Sequence, residues 1–196
     1  MQLLIGTNNA GKVTEISECI AHLPFEILTP KGLEIDLPPP EETGTSYAQN
    51  AMLKARYYYV QTGIPTLADD SGIIIDSLEG ELGIHTRRWG AGAEASDEEW
   101  IEHFLQRMSK EKNKRARFIC TVAYIDSDGR THVFERVNEG VITDELEAEY
   151  LPGLPIAGCF KPDGHDMVYS AMSVEQKNTV SHRGMAMQKF LDHAAV

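Results

Sequence analysis

Leu3-Leu4-Ile5-Gly6-Thr7-Asn8-Asn9-Ala10-Gly11-Lys12-Val13 is the stretch whose reading decides the fold class. Three consecutive apolar residues, Leu3 to Ile5, read as a short buried strand. Beyond Lys12 the period changes, and Val13, Ile16 and Ile20 fall on one face of a helix predicted over residues 10–22. A strand that passes through a glycine-containing turn into a helix is a unit of an α/β protein. The same turn suits an anion, because backbone N–H groups at a helix N-terminus point outward. Gly6 and Gly11 permit close approach and Lys12 adds charge. The spacing Gly-x₄-Gly-Lys is that of a P-loop, but Val13 stands where such a loop needs Ser or Thr to hold Mg²⁺. Capping of the helix by an asparagine explains the turn without any ligand.

Outward from this unit, strand-like and helix-like pieces keep alternating, with no repeat or linker. Pro38-Pro39-Pro40 marks a stiff extended connector. Ser46 with Gln49 predicts a capped helix to about residue 61. Thr66–Ala68 and Ile73–Asp76 read as strands on either side of a turn, Asp69-Asp70-Ser71-Gly72. A Gly-rich loop runs from Glu79 to Gly92. Ser96 with Glu99 caps a helix whose apolar face carries Trp100, Ile101, Phe104, Leu105 and Met108. Residues 116–125 and 131–142 read as an antiparallel hairpin around Asp126-Ser127-Asp128-Gly129. Ser173 with Gln176 caps a short helical turn. Ser181 opens a C-terminal helix with the stripe Met187, Phe190, Leu191 and Ala194.

The 196 residues suit one compact domain, with room for two lobes. Eighteen basic residues against 30 acidic ones give a net charge of −12. That argues against a nucleic-acid polymer as partner, which calls for a basic face. A small triphosphate stays possible, since a few local cations and a metal neutralise it. No apolar run approaches a membrane span, and the N-terminus lacks the features of a signal peptide, so the expected location is the cytoplasm. Cys19, Cys120 and Cys159 are odd in number and widely spaced, and read as buried free thiols.

Two acidic pairs stand out. Glu41-Glu42 follows the prolines, and Asp69-Asp70 follows a strand. Mg²⁺ typically takes one or two carboxylates together with substrate phosphates. Turn chemistry alone also accounts for Asp69-Asp70-Ser71-Gly72. Asn50 and Lys54, four apart, share a helix face. Lys177, His182 and Arg183 lie near helix starts, where cations oppose the macrodipole. An anionic ligand, or a salt bridge to a nearby acid, would resolve that mismatch.

Taken in order, these segments resemble the inosine triphosphate pyrophosphatases, which remove non-standard purine nucleotides. The likeness spans nearly the whole chain. It runs through Thr7-x-Asn9-x-x-Lys12, Glu41-Glu42-Thr43-Gly44, Asn50-Ala51-x-x-Lys54-Ala55-Arg56 and Ala68-Asp69-Asp70-Ser71-Gly72. It continues with Gly83-Ile84, Arg88, Glu175-x-Lys177-Asn178 and Ser181-His182-Arg183. The resemblance implies an elongated, two-lobed, mixed-sheet α/β fold with a central cleft, and a homodimer. It implies Mg²⁺-dependent hydrolysis of a nucleoside triphosphate to the monophosphate and pyrophosphate. Thr7, Asn8, Asn9, Ala10, Gly11, Lys12 and Lys54 would bind the phosphates, and Ser71 the nucleotide. Glu41 or Glu42 would join Asp70 in holding Mg²⁺, with Asp70 as general base. Lys177, His182 and Arg183 would reach the base.

One segment departs from the family. Where its members carry Phe-Gly-Tyr/Trp-Asp-Pro, with the Phe stacking on the purine, this chain has Leu154-Pro155-Ile156-Ala157-Gly158. Leu154 replaces the stacking aromatic and Ala157 the aspartate. Either the pocket takes a different or modified base, or Phe160 or another nearby aromatic restores the stack. A P-loop-type ATPase and a nucleotide-binding module without turnover are the alternatives to the pyrophosphatase.

Overall fold

The computed structural model describes residues 1–33, 38–92 and 94–194, with Arg88 described by its backbone alone. A single mixed sheet organises them in the order β2-β1-β3-β4-β5-β6. Strand β1 (Gln2–Ile5) lies parallel to β2 (Glu26–Leu28) and to β3 (Thr66–Ile75). Strands β4 (Arg115–Ile125), β5 (Thr131–Ile142) and β6 (Phe160–Pro162) continue antiparallel. The β4–β5 hairpin forms as its sequence predicts, turning through Asp126 to Gly129, where the Gly129 N–H donates to Asp126 O.

Strand β3 corrects the sequence reading. Asp69-Asp70-Ser71-Gly72 is not a turn but the middle of one ten-residue strand, in register with β4 from Thr66↔Ile125 to Ile75↔Ala116. The period of two sends Asp69 and Asp70 to opposite faces. Each buried carboxylate finds a cation there, which removes the penalty that local turn propensity reflects. On the other edge of β3, pairing with β1 stops at Leu67. The edge beyond it is left to a cleft, at the carboxyl end of a parallel strand, where ligands of α/β sheets bind.

On one face, α1 (Ala10–Ile20) and α5 (His182–Ala194) pack Ile16, Met187 and Phe190 against Leu67, Cys120 and Val122. Along the same strands, a second core gathers Ile73, Ile75 and Phe118 with Trp100 and Phe104 of α3 (Asp97–Met108). The two cores lie side by side on one face of the single sheet. On the opposite face, α2 (Tyr47–Thr62) sets Ala51 and Ala55 on Ala68 and Ala123, a contact of small side chains that brings the helix close to the sheet.

The capping boxes of α3 and of α4 (Val174–Val180) are complete. That of α2 is half-formed, since Gln49 turns away to accept from Thr45 N–H and Oγ1. All three thiols are free and buried, and burial pushes Cys19 and Cys159 up to about 12, so they stay protonated at neutral pH.

Candidate active site

Between the two cores lies a cleft of about 470 Å³. Its floor begins at the loop after β1. Asn9 holds that loop in place: its Oδ1 accepts the Lys12 N–H (3.0 Å) and its Nδ2 donates to Gly153 O (3.1 Å). Thr7 Oγ1 in turn accepts the Asn9 N–H (3.2 Å). Gly153 has φ +81° and no room for a Cβ beside the Asn9 amide, so glycine is required there. Its N–H donates to Asp97 Oδ2 at the start of α3. The segment before Leu154 is thus clasped between Asn9, at the start of α1, and Asp97, at the start of α3.

The residues expected to meet a nucleotide converge on this cleft. Thr7, Asn8, Asn9 and Lys12, then Glu41, Glu42, Lys54, Asp70 and Ser71, and finally Leu154, Ala157, Lys177, His182 and Arg183 all line it. Ala10 and Gly11 do not. Gly11 is buried against the neighbouring loop, its N–H donates to Pro152 O (3.1 Å), and a Cβ would meet that oxygen at 2.6 Å. It serves packing, and its amide is not free for an anion.

At one end the cleft is ionic. The Lys54 ammonium sits between Glu42 Oε1 (2.8 Å) and Asp70 Oδ1 (2.9 Å). Asn50 Nδ2 donates to Asp70 Oδ2 (3.2 Å) while its Oδ1 accepts the Gly44 N–H. The shared helix face of Asn50 and Lys54 therefore meets Asp70. Burial raises the Asp70 carboxyl above its ordinary value despite Lys54 and Lys12. Burial works against the Lys54 charge, but Asp70, Asp69 and Glu42 outweigh it and the ammonium persists.

Across the strand, Asp69 Oδ2 accepts from Lys12 Nζ (3.1 Å) and from Arg183 Nη2 (3.1 Å). Arg183 Nη2 also donates to Ser71 Oγ (3.0 Å). Glu15 completes the network by pairing with both Arg183 and Lys177. This acid accounts for Arg183 at the start of α5, whereas Lys177, expected near a helix start, lies in the last turn of α4, where a cation suits the macrodipole. Burial opposes the Asp69 charge, but Lys12 and Arg183 prevail and hold its carboxyl well below the usual carboxylate range. A depressed folded-state value means stability that is fully present above about pH 4 and is lost as the pH falls further. Wild type should therefore lose more denaturant resistance between neutral pH and pH 3 than Asp69→Asn does. Equal losses in urea midpoint would contradict this.

At the other end the cleft is apolar, walled by the second core. The His182 ring stacks on Phe118 (4.4 Å, 11°) and on Tyr169 (5.8 Å, 17°). Burial, and then Arg183, hold it well below the ordinary histidine value, so it is neutral. Leu154, Pro155, Ile156 and Ala157 face this end. Phe160 does not restore a base stack: it is fully buried against Phe118 and Tyr169 and lies outside the cleft lining.

Sequence reasoning missed Glu15 and Trp100 as lining residues. Glu15 had a signal, since it lies four before Cys19 on the buried side of α1, where a charge demands a partner. Trp100 had none beyond its place in an apolar stripe.

Comparison with known proteins follows the same lines. A model of the Ham1 family matches residues 3–193. A dITP/XTP pyrophosphatase of Leptospira interrogans is 36% identical over 190 residues, 97% of this chain and 95% of the relative. The solved Ham1 protein of Staphylococcus aureus superposes with a TM-score of 0.78 at 30% identity, covering 99% of this chain and 100% of the other. A HAM1 protein of Coxiella burnetii gives 0.82 at 28%, covering 100% and 98%.

Proposed function

Because the chain belongs to the Ham1 family, we propose that its cleft hydrolyses dITP, ITP and XTP to the nucleoside monophosphate and pyrophosphate. One observation carries this: a buried ammonium and two carboxylates meet at the ionic end of a cleft whose other end is apolar and aromatic. A triphosphate joined to a purine has the same polarity along its length.

The donor set fits a hard cation. Glu42 and Asp70 present oxygens to one shared positive charge, and Glu41 lies beside them on the cleft wall. Mg²⁺ suits such a pair, and it would supply neutralisation of the phosphate oxygens and of the leaving pyrophosphate. Glu42 is favoured over Glu41 as the second ligand because it shares the Lys54 ammonium with Asp70. In this reading Asp70 takes a proton from the attacking water, a role its raised basicity favours. The water oxygen bonds the α-phosphorus as the bond to the bridging oxygen breaks. The pair of electrons leaves with pyrophosphate, whose charge Lys54 and Lys12 offset. The Thr7–Lys12 loop orients the phosphates, Ser71 and Arg183 flank the nucleotide, and Lys177 and His182 face the base.

The P-loop ATPase reading has little support. The Gly11 amide, which that mechanism needs for phosphates, is bound to Pro152 O, and Val13 stands where a P-loop needs Ser or Thr. A free nucleotide as substrate, rather than a polymer, is in keeping with the net charge of −12. A homodimer belongs to the same proposal and rests on the family resemblance, while a cytoplasmic location rests on the sequence reading of the N-terminus and the apolar runs. Among the described residues no helix is long and apolar enough to cross a membrane.

The test is a product assay with Mg²⁺ and a panel of dITP, ITP, XTP, the eight standard triphosphates and several base-modified ones. Monophosphate plus pyrophosphate from the inosine and xanthosine nucleotides is expected. Single phosphate as product, or no turnover of any nucleotide, would overturn the proposal. The same products from another base alone would retain the reaction and reassign the base.

A further inference from the structure

The loop that walls the apolar end of the cleft starts from a single turn. Leu154 N–H donates to Leu151 O (2.9 Å), and Pro152 and Gly153 form the corner, with Gly153 at φ +81°. Proline followed by a glycine of positive φ is the pattern of a type II turn. The turn's own hydrogen bond leaves both polar groups of its central peptide free, and here two other elements take them. Pro152 O accepts the Gly11 N–H of α1 (3.1 Å), and Gly153 N–H donates to Asp97 Oδ2 of α3. Asn9 Nδ2 holds the next carbonyl, Gly153 O (3.1 Å). Leu154 follows at once, half-buried on the cleft wall, and lies so close to Gly11 that a Cβ there would be 2.9 Å from its Cδ1. The loop at the ionic end and the loop at the apolar end therefore meet at one pinned peptide. Asp97 is not needed to cap its own helix, because Ser96 and Glu99 complete the capping box of α3 without it. Its carboxylate instead reaches a backbone amide 56 residues further along the chain.

We propose that Asp97 is a positioning residue, which fixes the turn at 151–154 and through it sets Leu154 to Ala157 against the base of the bound nucleotide. This rests on the reading of the cleft as a nucleotide site. Types I and II differ by a rotation of the central peptide, and glycine at the third position accepts either form. The Asp97 carboxylate opposes that rotation, because the rotated Gly153 N–H would lose its acceptor. The phosphate end stands apart from this control: Asn9 Oδ1 holds the Lys12 N–H, and Lys54 is held by Glu42 and Asp70.

Asp97→Ala removes the acceptor, whereas Asp97→Asn keeps one. For dITP, Asp97→Ala is expected to raise KM about tenfold with kcat within about twofold of wild type. Asp97→Asn should stay within about threefold of wild type in KM. Pyrophosphate, which occupies the phosphate end alone, should inhibit all three proteins with the same Ki. General damage to α3 would weaken dITP and pyrophosphate together. An equal loss in Asp97→Asn and Asp97→Ala would assign the effect to charge at the helix start. Either result, or an unchanged KM in Asp97→Ala, overturns the proposal. Should Asp97→Ala fail to fold, amide hydrogen exchange followed by NMR decides. Gly153 N–H is expected to be protected at least about tenfold in wild type and in Asp97→Asn, and unprotected exchange in either contradicts the clasp. Failure of wild type to turn over any nucleotide removes the nucleotide reading and this inference with it. Turnover by wild type with Asp97→Ala unaffected removes this inference alone.

Discussion

Asp70→Asn is expected to lower kcat for dITP by about a thousandfold or more while leaving the thermal midpoint close to that of wild type. In the proposed mechanism the carboxylate accepts the proton of the attacking water and faces a divalent cation. Its amide can do neither at the same position. The fold tolerates the change because burial raises the Asp70 carboxyl, which means that folding disfavours its charged form. Lys54 keeps Glu42 as a partner when the charge at position 70 is removed. Steady-state turnover measured alongside a melting curve checks both halves. Near-wild-type turnover would remove Asp70 from the mechanism.

Its neighbour should behave in the opposite way. Asp69→Ala is expected to destabilise the protein by about 3–5 kcal/mol, the usual effect of stripping one partner from a buried ion pair. At this chain length that corresponds to a fall in melting temperature on the order of 10 °C. The Asp69 side chain is fully buried, and its loss leaves the Lys12 ammonium and the nearly buried Arg183 guanidinium without their shared carboxylate. Glu15 still pairs with Arg183 and limits the damage, so the lower end of that range is the better expectation. Thermal denaturation of the purified variant is the check. A midpoint within about 2 °C of wild type would mean that the network contributes little. On this account adjacent aspartates on opposite faces of one strand divide the work, and the two variants together test whether Asp69 serves the fold and Asp70 the chemistry.

That division was only partly legible. Strand β1, helix α1 and the β4–β5 hairpin follow from local signals: an apolar run, a change of period, and a turn of Asp, Ser and Gly between two alternating stretches. Strand β3 did not, because Asp-Asp-Ser-Gly has turn chemistry when read alone. The cations that make it a strand come from Lys12, Lys54 and Arg183, the last separated from Asp69 by more than a hundred residues. The residues at the ionic end were recognisable because they lie in short motif runs, Thr7 to Lys12, Glu41-Glu42, Asn50 to Lys54 and Asp69 to Gly72, that carry the family resemblance. The apolar end was legible only in part: His182, Leu154 and Ala157 were expected there, whereas Phe118 of β4, Tyr169 and Trp100 of α3 were not, Trp100 because periodicity assigns it to a core stripe. Their convergence is a property of the sheet register and of the way the loop at 153–157 is clasped by Asn9 and Asp97.

Position of bond cleavage tests the account most directly. Hydrolysis of dITP in water enriched in ¹⁸O, with products separated and weighed by mass spectrometry, reports which phosphorus the water attacks. The proposed attack of an Asp70-activated water on the α-phosphorus predicts that the label appears in dIMP and that pyrophosphate carries none. Label in pyrophosphate, or release of labelled single phosphate, would place the attack elsewhere and contradict the mechanism.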